Sequence, residues 1–223
     1  VNILRTNGEL FWAGGMRFGW EQCIKNKSFD ALLVFNDDIN INDDALLTMI
    51  DTMNMAKKVI NNNLYVVAGA FSSLDNKTVT YGGFRRSSSW HKLRFKKIFP
   101  SGEYESVDTL NMNLALISKE SLSKIGFLSK IFKHGGADMD FGLRLKNNGG
   151  VVLLTSKFVG TCDLNSKKGT SQESGISYFE RLKRLISIKE QPIKQRFFYY
   201  KAHAGRYWLI LFLLPYIRVI LTG

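Results

Sequence analysis

At 223 residues with 45% apolar content, the chain can bury one substantial core, so one large domain is the expectation. Aromatic residues at 13% and only 3 prolines argue against a disordered or linker-rich chain, and no repeat of 20 to 50 residues is visible. The formal charge of +12 is unevenly placed: residues 176–223 carry nine Lys or Arg against two Glu, a net +7, which leaves +5 for the first 175 residues.

In chain order, strand and helix patterns alternate. The opening "VNILRT" has no initiator Met and reads as a strand already under way, with further residues expected upstream. The segment after Gly14-Gly15 reads as a helix that carries Phe18, Cys23 and Ile24 inward. "ALLVF" is a continuous apolar run, the pattern of a strand covered on both faces of a parallel sheet. From Asn42 the spacing predicts a helix with Leu46, Leu47, Ile50, Met53 and Val59 on its inner side. "LYVVAGAF", "TVTYGGF", "VDTLNMNLALIS" and "VVLLTSKFVG" read as strands, while "KESLSKIG" and "DMDFGLRLKNNGG" read as helices that end at glycines. This interleaving predicts an α/β fold with a doubly wound sheet, and a helical tail completes the chain from about Tyr178. Cys23 and Cys162 lie far apart without CxxC spacing, as expected of reduced thiols in a cytosolic protein.

Two constellations carry possible chemistry. Asn36, Asp37 and Asp38 fall at the carboxyl end of the apolar strand, where ligands gather in open α/β sheets. The two acids either end the strand as a turn or hold a hard divalent ion against a phosphate. In "HGGADMDFGLRLKNNGG", Asp138 and Asp140 open a helix. They either complement its dipole or, after His134 and the glycines, present a carboxylate as a general base. Arg144 stands four residues beyond Asp140, the spacing of a side-chain pair on a helix.

The ordered segments "NGELFWAGGMRFG", "FDALLVFNDDI", "VDTLNMNLALI" and "HGGADMDFGLRLKNNG" resemble the family 2 glycosyltransferases of the GT-A fold, nearest to bacterial rhamnosyltransferase-like enzymes of surface polysaccharide synthesis. The resemblance spans roughly Asn7 to Asp163 and implies a Rossmann-like, mostly parallel sheet flanked by helices. It also implies an inverting transfer from a nucleotide-diphosphate sugar to a glycan or polyprenyl-linked acceptor. By the same resemblance Asp38 ligates Mn²⁺ or Mg²⁺, with Asp163 where some members place a ligating His. Asn36, Asp37, Asn7, Trp12, Gly14, Gly15 and Arg17 line the donor, Asp138 is the catalytic base, and Asn113, His134 and Asp140 face the acceptor. Ala137, Met112 and Asn36 depart from residues common at those motif positions. The resemblance implies a nucleotide-gripping strand and loop ahead of these segments, expected among residues upstream of Val1.

Residues 1–175 thus read as the catalytic domain and 176–223 as a basic amphipathic tail. Its "YWLILFLLPYIRVIL" is interrupted by Pro215 and Arg218, and fits a segment lying in the bilayer interface better than a spanning helix. That predicts a cytoplasmic protein held peripherally on the inner face of the membrane; the other reading packs the tail on the domain or on a second subunit. A nucleic-acid-binding module, suggested by the cations around Phe197–Tyr200, leaves the ordered acids unexplained, so no nucleic acid is expected as a partner. A non-catalytic subunit is the remaining rival.

Overall fold

A computed structural model describes residues 2–25 and 28–222. Its central element is β3 (Tyr65–Ser72), buried along its whole length. Side chains alternate across a strand, and here the alternation sorts the core into two layers. Val66, Ala68 and Ala70 pack with Ala115, Ile117, Val152 and Leu154 on one face. Tyr65, Val67 and Phe71 pack with Leu114, Leu116, Leu153 and Val159 on the other. At Gly69 a Cβ would lie 2.7 Å from Val159 Cγ2, so only glycine lets the neighbouring strand's side chain close over it.

The sheet runs β1 (Ala31–Phe35), β9 (Leu114–Ser118), β3, β10 (Val151–Thr161), β2 (Asn40–Ile41), with β4 (Val79–Tyr81) beside β3 and β7 (Glu105–Val107) beside β10. The α/β class and the helical cover agree with expectation. The pairing does not: β3 with β10 is parallel, and the other pairs among the described residues are antiparallel. An apolar run encodes burial but not strand direction. Nor is β1 covered on both faces, because it pairs only with β9 among the described residues and leaves Leu33 and Phe35 exposed. Residues 2–7 form no strand, and Val1 lies outside the described residues.

"TVTYGGF" is two strands rather than one. Gly82, at φ 139°, turns the chain out of β4 into β5 (Gly83–Arg86), which joins β6 (Phe95–Lys97) and β8 (Thr109–Leu110) in a small second sheet. This places β8 under the helix that opens with Asp138.

α1 (Phe11–Cys23) begins before the glycine pair and buries Ala13, Gly14 and Trp20, whereas Cys23 is exposed. Trp20 meets Phe127 and Phe141 edge-on at 6.4 and 6.0 Å, so the aromatic ring sets the inward face. α2 (Ala45–Met55) turns Ala45, Thr48, Met49 and Thr52 inward and leaves Leu46 and Leu47 exposed; the side chain of Val59 lies outside the described residues. Small side chains there permit closer approach to the sheet than the leucine stripe would. α3 (Lys119–Ile125) starts at Ser118, whose hydroxyl accepts from Ser121 N at 3.1 Å.

α4 (Ala137–Asn147) lies against β8, and the tail forms α5 (Tyr178–Leu185), α6 (Ile193–His203) and α7 (Trp208–Thr222). α6 and α7 interlock through Phe197, which meets Trp208 and Phe212 at 5.3 and 5.9 Å. Among the described residues no helix is long and apolar enough to cross a membrane.

The seating of α4 depends on Gly142, where a Cβ would lie 2.6 Å from Thr109 Oγ1 and 3.0 Å from its Cα. Gly142→Val should force α4 off β8 and lower stability by about 1–3 kcal/mol, as overpacking of a filled contact does. Urea unfolding of the variant checks this; an unchanged midpoint would refute the close packing.

Candidate active site

The turn after β1 is tied down on two sides. Asn36 N donates to Asn113 O at 3.0 Å, and its side-chain Oδ1 accepts from Trp12 Nε1 at 2.9 Å. Trp12 is therefore neither free nor simply core: it joins α1 to the strand end. Asp37 and Asp38 follow with exposed side chains.

Asp138 approaches the same place from α4. Gly136, at φ 88°, makes the left-handed turn that starts the helix, and a Cβ there would lie 2.4 Å from Gln191 Nε2 of the tail. Asp138 Oδ2 accepts from Asn111 Nδ2 at 3.0 Å, and Oδ1 accepts from Met139 N at 2.8 Å. Burial pushes the Asp138 carboxyl above its ordinary range, against the opposing pull of those hydrogen bonds. A carboxylate so placed is a stronger proton acceptor than one in water.

These elements enclose a cavity of about 250 Å³ whose wall includes Trp12, Asn36, Asn113, His134 and Asp138. That is smaller than the roughly 300–1,000 Å³ of drug-sized sites, and suits one ring of a larger ligand. Tyr81, Asn111 and Asn165 also line it. Asn111 belongs to the Asn111-Met112-Asn113 motif that the resemblance places near the acceptor, and only the fold shows its amide holding Asp138. Tyr81 and Asn165 carried no signal, since one is a strand aromatic and the other a loop amide.

Other expected residues lie elsewhere. Arg17 Nη1 donates to the carbonyls of Ser129 and Phe132 at 3.0 and 2.9 Å, and so braces the loop before the glycines instead of facing the cavity. Gly14 is packed inside α1, where a Cβ would meet Leu10 Cβ at 3.2 Å, and Gly15 belongs to the same helix. Asn7 is exposed, its Oδ1 accepting from Glu9 N at 3.1 Å.

Asp140, expected to face an acceptor, is buried and fully engaged. Oδ2 accepts from Arg144 Nε and Oδ1 meets His203 Nε2, both at 2.8 Å. A carboxylate can only accept, so the pairing requires His203 to carry its proton on Nε2. Arg144 also donates to Ile125 O and Phe127 O at 2.6 and 2.9 Å. The i,i+4 spacing found the arginine, but nothing in the tail's sequence marked His203. Tyr199, one helical turn earlier, packs against Phe132 at 6.1 Å, and burial followed by the nearby charges of Asp138 and Asp140 raises its hydroxyl far above the ordinary range.

Asp163 Oδ1 accepts from Leu74 N at 3.1 Å. Burial, then Asp38 and Asp163, push the Cys162 thiol up, so both carboxylates bear on one point. Cys162 in turn lies 3.9 Å from Asn113 Nδ2 on the cavity wall. No group of three or more His, Cys, Asp or Glu able to hold a metal occurs among the described residues. Asp38 and Asp163 are both hard oxygen donors, the ligand type that Mg²⁺ and Mn²⁺ take, and one Asp163 oxygen already accepts from Leu74 N.

The chain is similar to GalNAc-T7, whose crystal structure holds UDP, GalNAc and Mn²⁺, with a TM-score of 0.52, 11% identity, and coverage of 82% of this chain and 35% of that one. A second match is A197 from STIV, at a TM-score of 0.41, 18% identity, and coverage of 65% of this chain and 63% of that one. The chain thus spans less than two thirds of either. No family model matches the sequence, and no curated protein matches it. The fold is glycosyltransferase-like: a mixed α/β sheet flanked by helices and closed by a C-terminal helix.

A carboxyl whose pKa is raised on folding favours the folded state while protonated; that stability is present below the unfolded value of 3.8 and is lost as pH rises through the folded value. Asp138→Asn removes the half-buried charge and keeps the shape. The variant should melt above the parent at neutral pH, with the gap closing toward pH 3.8. Scanning calorimetry across that range checks it, and equal melting at neutral pH contradicts a raised pKa for this carboxyl.

Proposed function

We propose that the protein is a metal-dependent inverting glycosyltransferase that moves a hexosyl or deoxyhexosyl group from a nucleotide-diphosphate sugar to a glycan or polyprenyl-linked acceptor in bacterial surface polysaccharide synthesis. One observation carries the reading: Asp138, with a raised pKa and an amide holding it in place, shares a cavity with Asn36, the residue just before Asp37 and Asp38, which are not themselves among its lining residues. The glycosyltransferase-like fold supports it, and the likeness to a protein crystallised with UDP, GalNAc and Mn²⁺ supports the donor class.

In this reaction the acceptor oxygen forms a bond to the anomeric carbon as the bond from that carbon to the phosphate oxygen breaks. The acceptor's proton passes to Asp138, and nucleoside diphosphate leaves. A single displacement inverts the centre and needs no covalent nucleophile. Asn111 keeps Asp138 aimed into the cavity, while Asn113 and His134 line the wall where an acceptor hydroxyl would enter. Asp38 and Asp163 would hold the Mn²⁺ or Mg²⁺, which supplies Lewis-acid neutralisation of the leaving phosphate. Asp140 positions α4 and does not contact substrate in this scheme.

Residues 1–175 form the catalytic part, and residues 176–223 hold it on the cytoplasmic leaflet. α7 exposes Leu209, Ile210, Leu213, Ile217 and Ile220, and Lys201 and Arg206 are exposed just before it. Aliphatic side chains beside cations match an anionic lipid surface.

Asp138→Asn should lower kcat by about 10²–10⁴ with little change in donor binding, because general-base catalysis is worth that much. Asp38→Ala should remove most Mn²⁺-stimulated turnover. Nucleoside diphosphate release from a panel of sugar donors measures both, and full activity of either variant discards the role assigned to it.

Co-sedimentation of the intact protein with anionic vesicles tests the tail. Attachment should weaken in high salt, since each cation near such a surface contributes about 1 kcal/mol. Protein left wholly in the supernatant with anionic vesicles at low salt disproves the attachment.

A further inference from the structure

Three cavities share walls in a line. The cavity at Asp138 shares His134 and Asn165 with a neighbour of about 830 Å³. That neighbour shares Gln172, Glu190 and Arg196 with a third cavity of about 920 Å³ between α5 and α7. The chemistry changes along the line. The middle cavity presents Lys167, Lys189 and Arg196 against the single acid Glu190. The far one adds Arg181 and Arg218, and its wall also contains Leu185, Leu214, Pro215 and Val219.

Glu190, which accepts from Ser171 N, supplies one negative charge against the three cations of the middle cavity. Arg196 is only 8% exposed, and among the described residues its Nε has no hydrogen-bond partner, although Nη2 donates to Leu185 O at 3.2 Å. Leaving a buried cationic donor unsatisfied is costly. That guanidinium also lies 5.7 Å from the Tyr216 ring, so the pull on a ligand comes from the set of cations lining the two cavities, which an anionic group matches, while the apolar wall beside them matches a hydrocarbon.

We propose that the groove between α5 and α7 binds a phosphorylated amphiphile, its phosphate at Arg181 and Arg196 and its alkyl chain along Leu214, Pro215 and Val219. The binding stands on the groove itself. That this amphiphile is the acceptor, its head group reaching toward Asp138 through the middle cavity, rests on the glycosyl-transfer reading.

Titration calorimetry of the intact chain with decyl phosphate below its micelle concentration tests the binding, with inorganic phosphate and decyl maltoside as comparators. Decyl phosphate should bind at least about tenfold more tightly than either, since a charge-assisted hydrogen bond and a buried alkyl chain each contribute that order. Arg181→Gln and Leu214→Gln should each weaken it by about tenfold at an unchanged melting temperature. Inorganic phosphate binding equally well would reduce the groove to an anion site, and the maltoside binding equally well would reduce it to an unselective apolar surface. Undiminished binding by both variants places the ligand elsewhere and also overturns the proposal. If decyl phosphate binds as expected but no sugar donor yields nucleoside diphosphate, the groove stands and the glycosyl-transfer reading fails; donor turnover without decyl phosphate binding removes the groove alone.

Discussion

The candidate site depends on one buried carboxylate that is taken up by two neighbouring side chains. Asp140 joins Arg144 on its own helix to His203 of α6, and Arg144 carries the connection on to the carbonyls of Ile125 and Phe127. Such a cluster is not a large net source of stability, because desolvating its charges offsets most of their attraction. Its worth is in fixing geometry: removing one member leaves another buried and uncompensated. Asp138 lies two residues away on the first turn of the same helix, so the direction of its carboxyl follows from how Asp140 is held.

The sheet supplies the other half of the geometry. β3 needs cover on both faces, and its alternate side chains draw α2 to one face and the layer containing α1 and α4 to the other. With β1 paired antiparallel to β9, its carboxyl end lies beside the start of β9, where Asn113 accepts from Asn36 N. The acids after β1, the amides before β9 and the first turn of α4 therefore converge by backbone pairing, before any side chain contributes.

Much of this was legible in the sequence, and the failures have physical causes. The apolar strands, the helix at Asp138 and the acids at a strand end follow from periodicity and capping. Strand direction does not, because "ALLVF" and "LALIS" look alike whichever way they pair. Arg17 and Asp140 were charged residues near motifs, and only three-dimensional packing shows that both are used up in bracing. His203 lies 63 residues from Asp140, and a lone histidine in a basic helix carries no mark of its partner.

The dependence of α4 on α6 has a consequence for the order in which the chain assembles. Contacts between segments so far apart in the chain form late and slowly, because the loop between them must first be closed. During synthesis β3, β9 and α4 leave the ribosome well before Tyr199 and His203. The nascent chain can assemble its sheet and still lack the helix that fixes Asp138. The hold on the helix that carries Asp138 is then completed only together with the basic tail helices, once His203 reaches Asp140.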